Sequence, residues 1–265
     1  MKRKKGAFLI AFMLIGWVCM AQPTVDDDSL RHNWKIRLSP YFWYLGIKGS
    51  IYKPPPPANY PEPEPGREID IGFKELSGAL RFALMISGEQ LTKYTYSRFH
   101  VFSLVLSGDA ETPLGIVFQD TNGKFSYFGG DVAVGYRVVK KKSLEFDATI
   151  GVKWVYADFR GSTSILGYEP FEFQTSKFFI EPALGVHLAW RPYNRLEVKG
   201  FGDVGLLFGD HLTYQWLIES NFFITKKFYI SLGYRVWSVE KQLEEVLYNG
   251  QLYGPITRIG FEFGK

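Results

Sequence analysis

Apolar residues occupy every other position in about ten segments between residues 34 and 265, and polar or small residues fill the positions between them. In segment 143–158 one face carries Leu144, Phe146, Ala148, Ile150, Val152, Trp154 and Tyr156. The other face carries Glu145, Asp147, Thr149, Gly151 and Lys153. This period of two is typical of membrane-spanning β-barrels. Strands of a soluble sandwich also alternate, so a second signal is needed to choose between the two classes.

The N-terminus supplies that signal. Residues 2–5 are basic, residues 7–18 form an apolar run, and Ala21 offers a small residue for cleavage. This predicts a secretory signal peptide over 1–21, a periplasmic N-terminal segment over 22–33 and an outer-membrane barrel over 34–265. A membrane helix is the weaker alternative because the apolar run is short. A lipoprotein would use Cys19, but Trp17 and Val18 stand where that pattern needs small residues.

Composition excludes several function classes. The only cysteine lies inside the predicted signal peptide, so the mature chain would have no disulfide and no thiol chemistry. The formal charge of +4 includes the four basic residues 2–5, which leaves the mature protein near neutral and gives no electrostatic support for nucleic-acid binding. About 244 residues remain after cleavage, which suits one large β-domain.

The fold class predicted is all-β: a closed antiparallel transmembrane β-barrel of about ten strands. The segments are 34–51, 79–90, 93–106, 125–138, 143–158, 177–190, 195–208, 212–224, 228–239 and 255–263. An even number places both chain ends on one side, and long connections alternate with short ones as in bacterial barrels. The short connection 209–211 is the exception. Eight strands with an accessory hairpin is the alternative. The proline-rich run after Lys53 is interpreted as a stiff outer loop.

The inward face is predicted to hold a charge network in which acidic and basic residues nearly balance. Charges inside a narrow tube should pair, since an unpaired buried charge costs several kcal/mol. Ten strands leave at most a thin water path, because Tyr41, Trp43, Phe201, Tyr229 and Trp237 also point inward. The network comprises Lys35, Arg37, Arg81, Glu89, Asp131, Arg137, Glu145, Asp147, Lys153, Glu181, Glu197, Lys199, Asp203, Glu219, Arg235, Arg258 and Glu262.

Several phrases resemble a family of small outer-membrane β-barrel proteins of Gram-negative bacteria, most of whose members have no assigned activity. They are LSPYFWYLGIKG (38–49), LRFALMISGE (80–89), DVAVGYR (131–137), IGVKWVYAD (150–158), 201–216 and LGYRVWSV (232–239). The resemblance implies an integral outer-membrane protein in contact with lipid and lipopolysaccharide. It also implies that Ile259, Phe261 and Phe263 form the C-terminal signal read by the barrel-assembly machinery, although Gly264 and Lys265 follow the last aromatic residue.

Three functions remain open from the sequence. A structural or scaffold role is favoured, because no constriction of one charge sign marks an ion-selective pore. A narrow channel for ions or very small solutes is the second. An outer-membrane hydrolase is the third, either omptin-like through Asp210 and His211, or acting on lipid A through His100 with Ser97 or Ser103. Adjacent residues on a strand point to opposite faces, which weakens the first pair.

No cofactor or metal is expected, because no two histidines have metal-ligand spacing and no nucleotide-binding or nucleophile motif occurs. His187 is interpreted as a network member beside Glu181. The lipid face should carry aromatic girdles that include Trp34, Tyr44, Trp154, Tyr156, Trp190 and Trp216. The oligomeric state is left open.

Overall fold

Twelve strands and one short helix make up the part of the chain that the computed structural model describes, which is residues 34–52, 67–108, 123–141, 143–163, 171–205, 213–243 and 246–264. The elements are β1 (Lys35–Trp43), β2 (Gly46–Tyr52), β3 (Arg67–Ile71), α1 (Phe73–Ala79), β4 (Leu80–Leu91), β5 (Thr95–Gly108), β6 (Gly123–Lys140), β7 (Leu144–Thr163), β8 (Phe171–Tyr193), β9 (Leu196–Gly205), β10 (Thr213–Phe223), β11 (Phe228–Leu243) and β12 (Val246–Gly264).

Ten of these strands close into an antiparallel barrel. β1 pairs with β4, each of β4 to β11 pairs with the next, and β12 returns to pair with β1. The closing register places Ile36 opposite Phe263 and Trp43 opposite Ile256. Each barrel strand is therefore paired on both sides over at least part of its length, which satisfies backbone groups that lipid could not. The predicted closed barrel of ten strands is confirmed. β2 and β3 form an additional hairpin outside the ring, so the eight-stranded alternative is wrong.

The exterior of the barrel is apolar and its interior is charged. Ile150, Phe178 and Leu84 are more than half exposed on the outside, whereas Arg235 and Lys153 are buried within the lumen. This is the reverse of a soluble protein, and it follows from the alternation of side chains along each strand. The barrel is therefore of the transmembrane type. Within the described residues, no helix has the length and apolarity to cross a bilayer.

The two ends of the barrel differ. At one end, here called the turn end, short connections 92–94, 141–143, 194–195 and 224–227 join the strands, and both ends of the sheet, Lys35 and Gly264, lie beside each other. At the other, the loop end, the described strands stop on either side of residues 53–66, 109–122, 164–170, 206–212 and 244–245, which are outside the described residues. The proline-rich loop and the connection 209–211 fall in these ranges. The predicted signal peptide (1–21) and N-terminal segment (22–33) also lie outside the described residues.

Hairpins at the loop end are longer than predicted. β7 and β8 stay paired out to Thr163 and Phe171, and β11 and β12 out to Leu243 and Val246. The predicted strands ended where the apolar alternation ends. A hairpin can continue past that point because its backbone groups still bond to each other in the ladder, whatever the polarity of the side chains.

The first predicted strand, 34–51, is interrupted. Tyr44 and Leu45 separate β1 from β2, and both strands pair with β12. Pro40, which has no N–H to donate, is the last residue of β1 that pairs with β4. After β2 in the chain, β3 and α1 occupy part of the segment 52–78, which was predicted to be a loop. The predicted single strand and structureless loop are therefore wrong in this region.

Candidate functional site

The lumen is the candidate site, and it gathers almost the whole predicted charge network. Sixteen of the seventeen residues take part in ion pairs with other described residues. Arg81 is the exception: it is exposed and belongs to none of the ion pairs among the described residues. The strand register shifts between Leu80 and Phe82, which breaks the alternation that placed Arg81 inside.

Arg37 is the centre of a cluster at the turn end. Its guanidinium is 2.8 Å from Glu262, 3.5 Å from Glu89 and 2.5 Å from Glu197, and it is 1% exposed. The strand register places Glu262 and Glu89 directly opposite Arg37 on the two flanking strands. Glu197 reaches it from β9, across the barrel. Lys35 adds a further pair with Glu262 at 2.7 Å.

The same cluster continues across the lumen. Lys199 lies 2.6 Å from Glu89 and 2.8 Å from Glu219, and Glu219 lies 2.9 Å from Arg258. Arg258 also donates to the hydroxyl of Ser87 at 2.6 Å. The chain of contacts therefore ties β4, β9, β10 and β12 together from within, in addition to their backbone ladders.

A second cluster lies at the middle of the barrel. Arg235 contacts Asp131 at 3.1 Å and donates to Gln215 at 2.8 Å, while Asp131 also pairs with Arg98. Gln215 in turn donates to Asp203 at 2.6 Å. Lys153 completes the cluster through Asp203 at 2.8 Å and Glu181 at 3.5 Å.

A third group surrounds Asp147 near the turn end. Its carboxylate accepts from Arg137 at 2.9 Å and contacts Nδ1 of His187 at 2.9 Å. The His187 ring is stacked on Tyr96 at 3.9 Å between centroids. Arg137 also pairs with Glu145 at 3.0 Å. His187 faces the lumen and contacts a member of the network, as interpreted from the sequence, but Glu181 is the wrong neighbour. The partner strand sets Asp147 opposite His187 and Lys153 opposite Glu181.

An aromatic layer covers the charged clusters on the side of the loop end. Phe102 contacts Trp43 and Trp237 edge-on, at 5.8 and 5.3 Å between ring centroids, and stacks on Tyr127 at 5.6 Å. The guanidinium of Arg235 lies 4.9 Å from the Trp237 ring, which is within the range of a cation–π contact. Further apolar side chains, including Leu104, Leu106, Val155, Val239 and Leu252, pack around this layer.

Sequence reasoning missed Arg98 and left His100 without a place in the network. Both are buried on the lumen side of β5, where His100 Nδ1 is 3.2 Å from Arg235 and the Arg98 guanidinium lies over the ring of Phe201. The signal was present, since two polar residues on one face of an otherwise apolar strand are expected to avoid lipid. Apolar residues on both faces of this strand concealed it.

The lipid A candidates on β5 are not brought together. His100 faces the lumen, whereas Ser97 and Ser103 stand at odd positions of the same strand and therefore point to the other face. Asp210 and His211 lie outside the described residues. Among the residues that the structure does describe, no group of three potential metal ligands occurs.

The predicted assembly signal lies on the lipid face of β12. Ile259, Phe261 and Phe263 are about half exposed, and Phe261 pairs with Phe228 of β11 and Leu38 of β1. Of the predicted girdle, Trp34, Tyr44, Trp190 and Trp216 are exposed, while Trp154 and Tyr156 are half-buried. The role of the three β12 residues in assembly stays a prediction.

An apolar exterior around a charge-paired interior defines a membrane β-barrel whose lumen is filled by its own side chains. No family model and no curated protein matches the chain. It is similar in architecture to several solved barrels. Ail of Yersinia pestis, solved with the heparin analogue sucrose octasulfate, gives a TM-score of 0.36 at 11% identity over 88% of this chain and 99% of that one.

Two further solved structures show the same kind of likeness. The translocator domain of the autotransporter NalP from Neisseria meningitidis gives a TM-score of 0.37 at 9% identity and covers 97% of both chains. The outer membrane protein AlkL, solved in DMPC bilayers, gives 0.38 at 9% identity over 92% of this chain and 96% of that one. At these identities and TM-scores the similarity carries no argument about what this chain does.

Proposed function

We propose that this protein is a structural barrel of the outer membrane whose axial path is closed to ions and solutes. In this arrangement the turn end faces the periplasm and the loop end faces the outside, as in bacterial barrels with short periplasmic turns. Ile259, Phe261 and Phe263 would direct assembly, and lipid and lipopolysaccharide would surround the wall.

The observation that carries the proposal is the position of Arg37. It is almost fully buried and it joins Glu262 and Glu89 on the neighbouring strands to Glu197 on the far wall. A solute that moved along the axis would have to separate these charges, and a buried ion pair broken on one side costs about 3–5 kcal/mol. The aromatic layer around Phe102 closes the lumen a second time, above the charges.

Planar-bilayer conductance of the refolded mature protein tests this proposal. We expect no discrete current steps over the voltages at which a general porin, inserted in the same bilayer as a positive control, conducts. Discrete steps from the wild-type protein would contradict the structural role and would favour the narrow channel.

The proposal does not include hydrolysis, because His100 and the nearby serines occupy opposite faces of β5. Mass spectrometry of peptides and of lipid A after incubation with the protein should show no cleavage. Cleavage that is lost in His211→Ala would support the hydrolase instead.

A second candidate function comes from the wall itself. The hydrogen-bonded ladder between β1 and β4 ends at Pro40 and Ile86. Toward the loop end from there, α1 lies beside the two strands. Phe73 of α1 contacts Tyr44 and Phe42 on the outside, at 5.1 and 6.0 Å between ring centroids. Leu76 of α1 is buried with the apolar lumen residues. A helix held by side chains opens at lower cost than a hydrogen-bonded strand pair.

We propose on this basis that α1 closes a side opening through which small apolar molecules exchange between the membrane and the outer part of the lumen. A cavity of about 20 Å³ lies behind α1, lined by Trp43, Leu76, Met85, Leu104 and other apolar residues. Its volume matches a single water, so entry of a larger molecule requires α1 to move.

Cross-linking tests the side opening. Tyr44→Cys and Phe73→Cys are joined by a short thiol cross-linker, and the barrel is labelled with a photoreactive alkane. We expect labelling of the lumen-facing Leu104 and Leu106 before cross-linking and its loss afterwards, while labels on the lipid face stay constant. Equal labelling of the two leucines in both states, or none in either, would contradict the side opening and leave the structural role untouched.

A further inference from the structure

The short turns at the turn end of the barrel carry a set of basic residues. The set comprises Lys93, Lys140, Lys141, Arg195, Lys226 and Lys227, here called the basic rim. The four short turns and Lys140 contain no Asp or Glu. All members except the half-buried Lys93 are exposed, and those exposed members take part in none of the ion pairs among the described residues.

The nearest acidic residues are already engaged inside the lumen. Glu145 pairs with Arg137, Glu262 with Lys35 and Arg37, and Glu197 with Arg37. The lumen charges therefore pair with one another, and no ion pair within the described residues joins them to the exposed members of the basic rim, although Lys140 lies opposite Glu145 in the ladder. An exposed set of like charges raises the local concentration of an anionic partner.

The sequence segments between the described strand ends of the loop end are acidic. The ranges 53–66, 109–122, 164–170, 206–212 and 244–245 together contain nine Asp and Glu residues against Lys53 as the single Lys or Arg. Exposed lysines such as Lys48, Lys74 and Lys124 also occur toward the loop end, but acidic residues accompany them in the ladder or in the sequence, whereas the four short turns carry none. Basic charge without neighbouring acidic residues in the turns points to a partner that meets the turn end.

Exposed aromatic residues place the basic rim relative to the membrane. Tyr94, Tyr136, Trp190 and Tyr193 are exposed on the outer wall near the turn end. Aromatic belts of this kind sit at the level of the lipid headgroups. Lys140 follows Tyr136 by four residues, or about 13 Å of extended strand. Lys93 directly precedes Tyr94, and Arg195 follows Tyr193 by two residues. The long basic side chains can therefore reach the lipid phosphates.

We infer that the basic rim binds the headgroups of anionic phospholipids in the leaflet that surrounds the turn end. The aromatic residues fix the depth, and the lysines and arginine provide charge-assisted contacts to phosphate. The lipid would form an annulus around the turn end and hold the barrel in one orientation. This inference is independent of whether the lumen conducts.

Native mass spectrometry tests the inference by counting the lipids that stay bound to the full mature barrel. The barrel is released from nanodiscs of phosphatidylcholine that contain a minority of phosphatidylglycerol. The rim variant carries Lys140→Gln, Lys226→Gln and Lys227→Gln. The matched control carries Lys48→Gln, Lys74→Gln and Lys124→Gln, three exposed lysines of β2, α1 and β6. Both variants lose the same charge, and the heat-dependent shift of gel mobility checks that each is folded.

We expect the wild type and the control to retain phosphatidylglycerol equally and the rim variant to retain at least about fivefold less, since each basic residue near an anionic surface contributes about that factor. Retention should also fall as salt is raised. Equal retention by both variants would overturn the inference. A second experiment measures sedimentation of the barrel with isolated peptidoglycan, using nanodiscs of phosphatidylcholine alone. The inference would also be overturned if the rim variant sedimented less than the wild type in this experiment but retained phosphatidylglycerol equally well.

Discussion

At the scale of single residues, the register of the strands decides which charges meet. Arg37 faces Glu262 on one side and Glu89 on the other because both lie directly opposite it in the ladders. Glu197 is 160 positions away in the chain and meets Arg37 only because the sheet closes. Each lumen charge therefore depends on a local register and on the closure of the barrel.

Removing Arg37 should destabilise the barrel strongly. Arg37→Met leaves Glu197 and Glu262 buried with fewer partners, so the free energy of unfolding should fall by about 3–5 kcal/mol. Equilibrium denaturant unfolding in lipid vesicles measures it. The control Arg81→Met, at an exposed position, should change it by about 0.5 kcal/mol or less. If the two substitutions lowered the free energy of unfolding by similar amounts, the stabilising role assigned to the buried ion pairs of Arg37 would be wrong.

Gly254 occupies a backbone conformation that other residues avoid, with φ of +145°. A Cβ at this position would lie 2.1 Å from the carbonyl oxygen of Tyr44, where β1 gives way to β2. Gly254→Ala should therefore cost about 1–3 kcal/mol in the same unfolding measurement. A Cβ at Gly200 would meet nothing within 4 Å, so Gly200→Ala should cost far less. Equal losses would mean that the bend at Tyr44 does not require glycine.

At the scale of elements, α1 is the part of the wall held by side chains instead of a ladder. Its seven residues are too few to be stable alone, so its position depends on Leu76 and Phe73. Of the strands beside it, β4 is paired with β5 over eleven residues. Local opening is therefore expected at α1 before β4 and β5 separate.

Truncation of Leu76 should loosen α1 alone. Leu76→Ala removes a side chain that is 4% exposed, at a cost of about 2–5 kcal/mol to local docking. Hydrogen exchange followed by mass spectrometry should show faster exchange over 73–79 and unchanged protection in β4 and β5. Ser77→Ala, at an exposed position of the same helix, should leave exchange near the wild-type rate. Uniformly faster exchange across the barrel would instead show that α1 supports the whole fold.

At the scale of the whole molecule, the barrel separates lipid from charge by the two faces of each strand. Trp216 and Trp190 lie on the outer face, whereas Trp43 and Trp237 are 1% exposed inside the lumen. This arrangement keeps the indoles of the aromatic layer away from acyl chains although they are as apolar as those of the girdle.

Quenching by brominated lipid distinguishes the two faces. In variants that retain one tryptophan, fluorescence of Trp216 should be quenched strongly in vesicles of brominated phospholipid and that of Trp237 weakly, because bromine quenches at short range. The remaining tryptophans are replaced by phenylalanine in both. Strong quenching of Trp237 would show that the strand faces are assigned the wrong way round.

Much of the architecture could be predicted from the alternation alone. The strand count, the closed form and the inward position of residues such as Lys153 and Glu219 follow from a period of two and from the cost of charge in lipid. The prediction failed at Arg81, where a register shift turns the side chain outward, and at 67–79, where β3 and α1 replace a loop. Neither has a periodic signal, because a bulge and a seven-residue helix are each shorter than the pattern needed to detect them.

The sequence by itself determined which side of each strand meets lipid, because that choice depends on local backbone geometry and on the polarity of successive residues. Only the tertiary structure decided which charges pair, where Phe102 and Trp237 close the lumen, and where α1 replaces a strand pair. These contacts join residues far apart in the chain, such as Arg235 with Tyr41 and Asp131. They are fixed by the stagger at which the sheet closes, a property of the whole barrel.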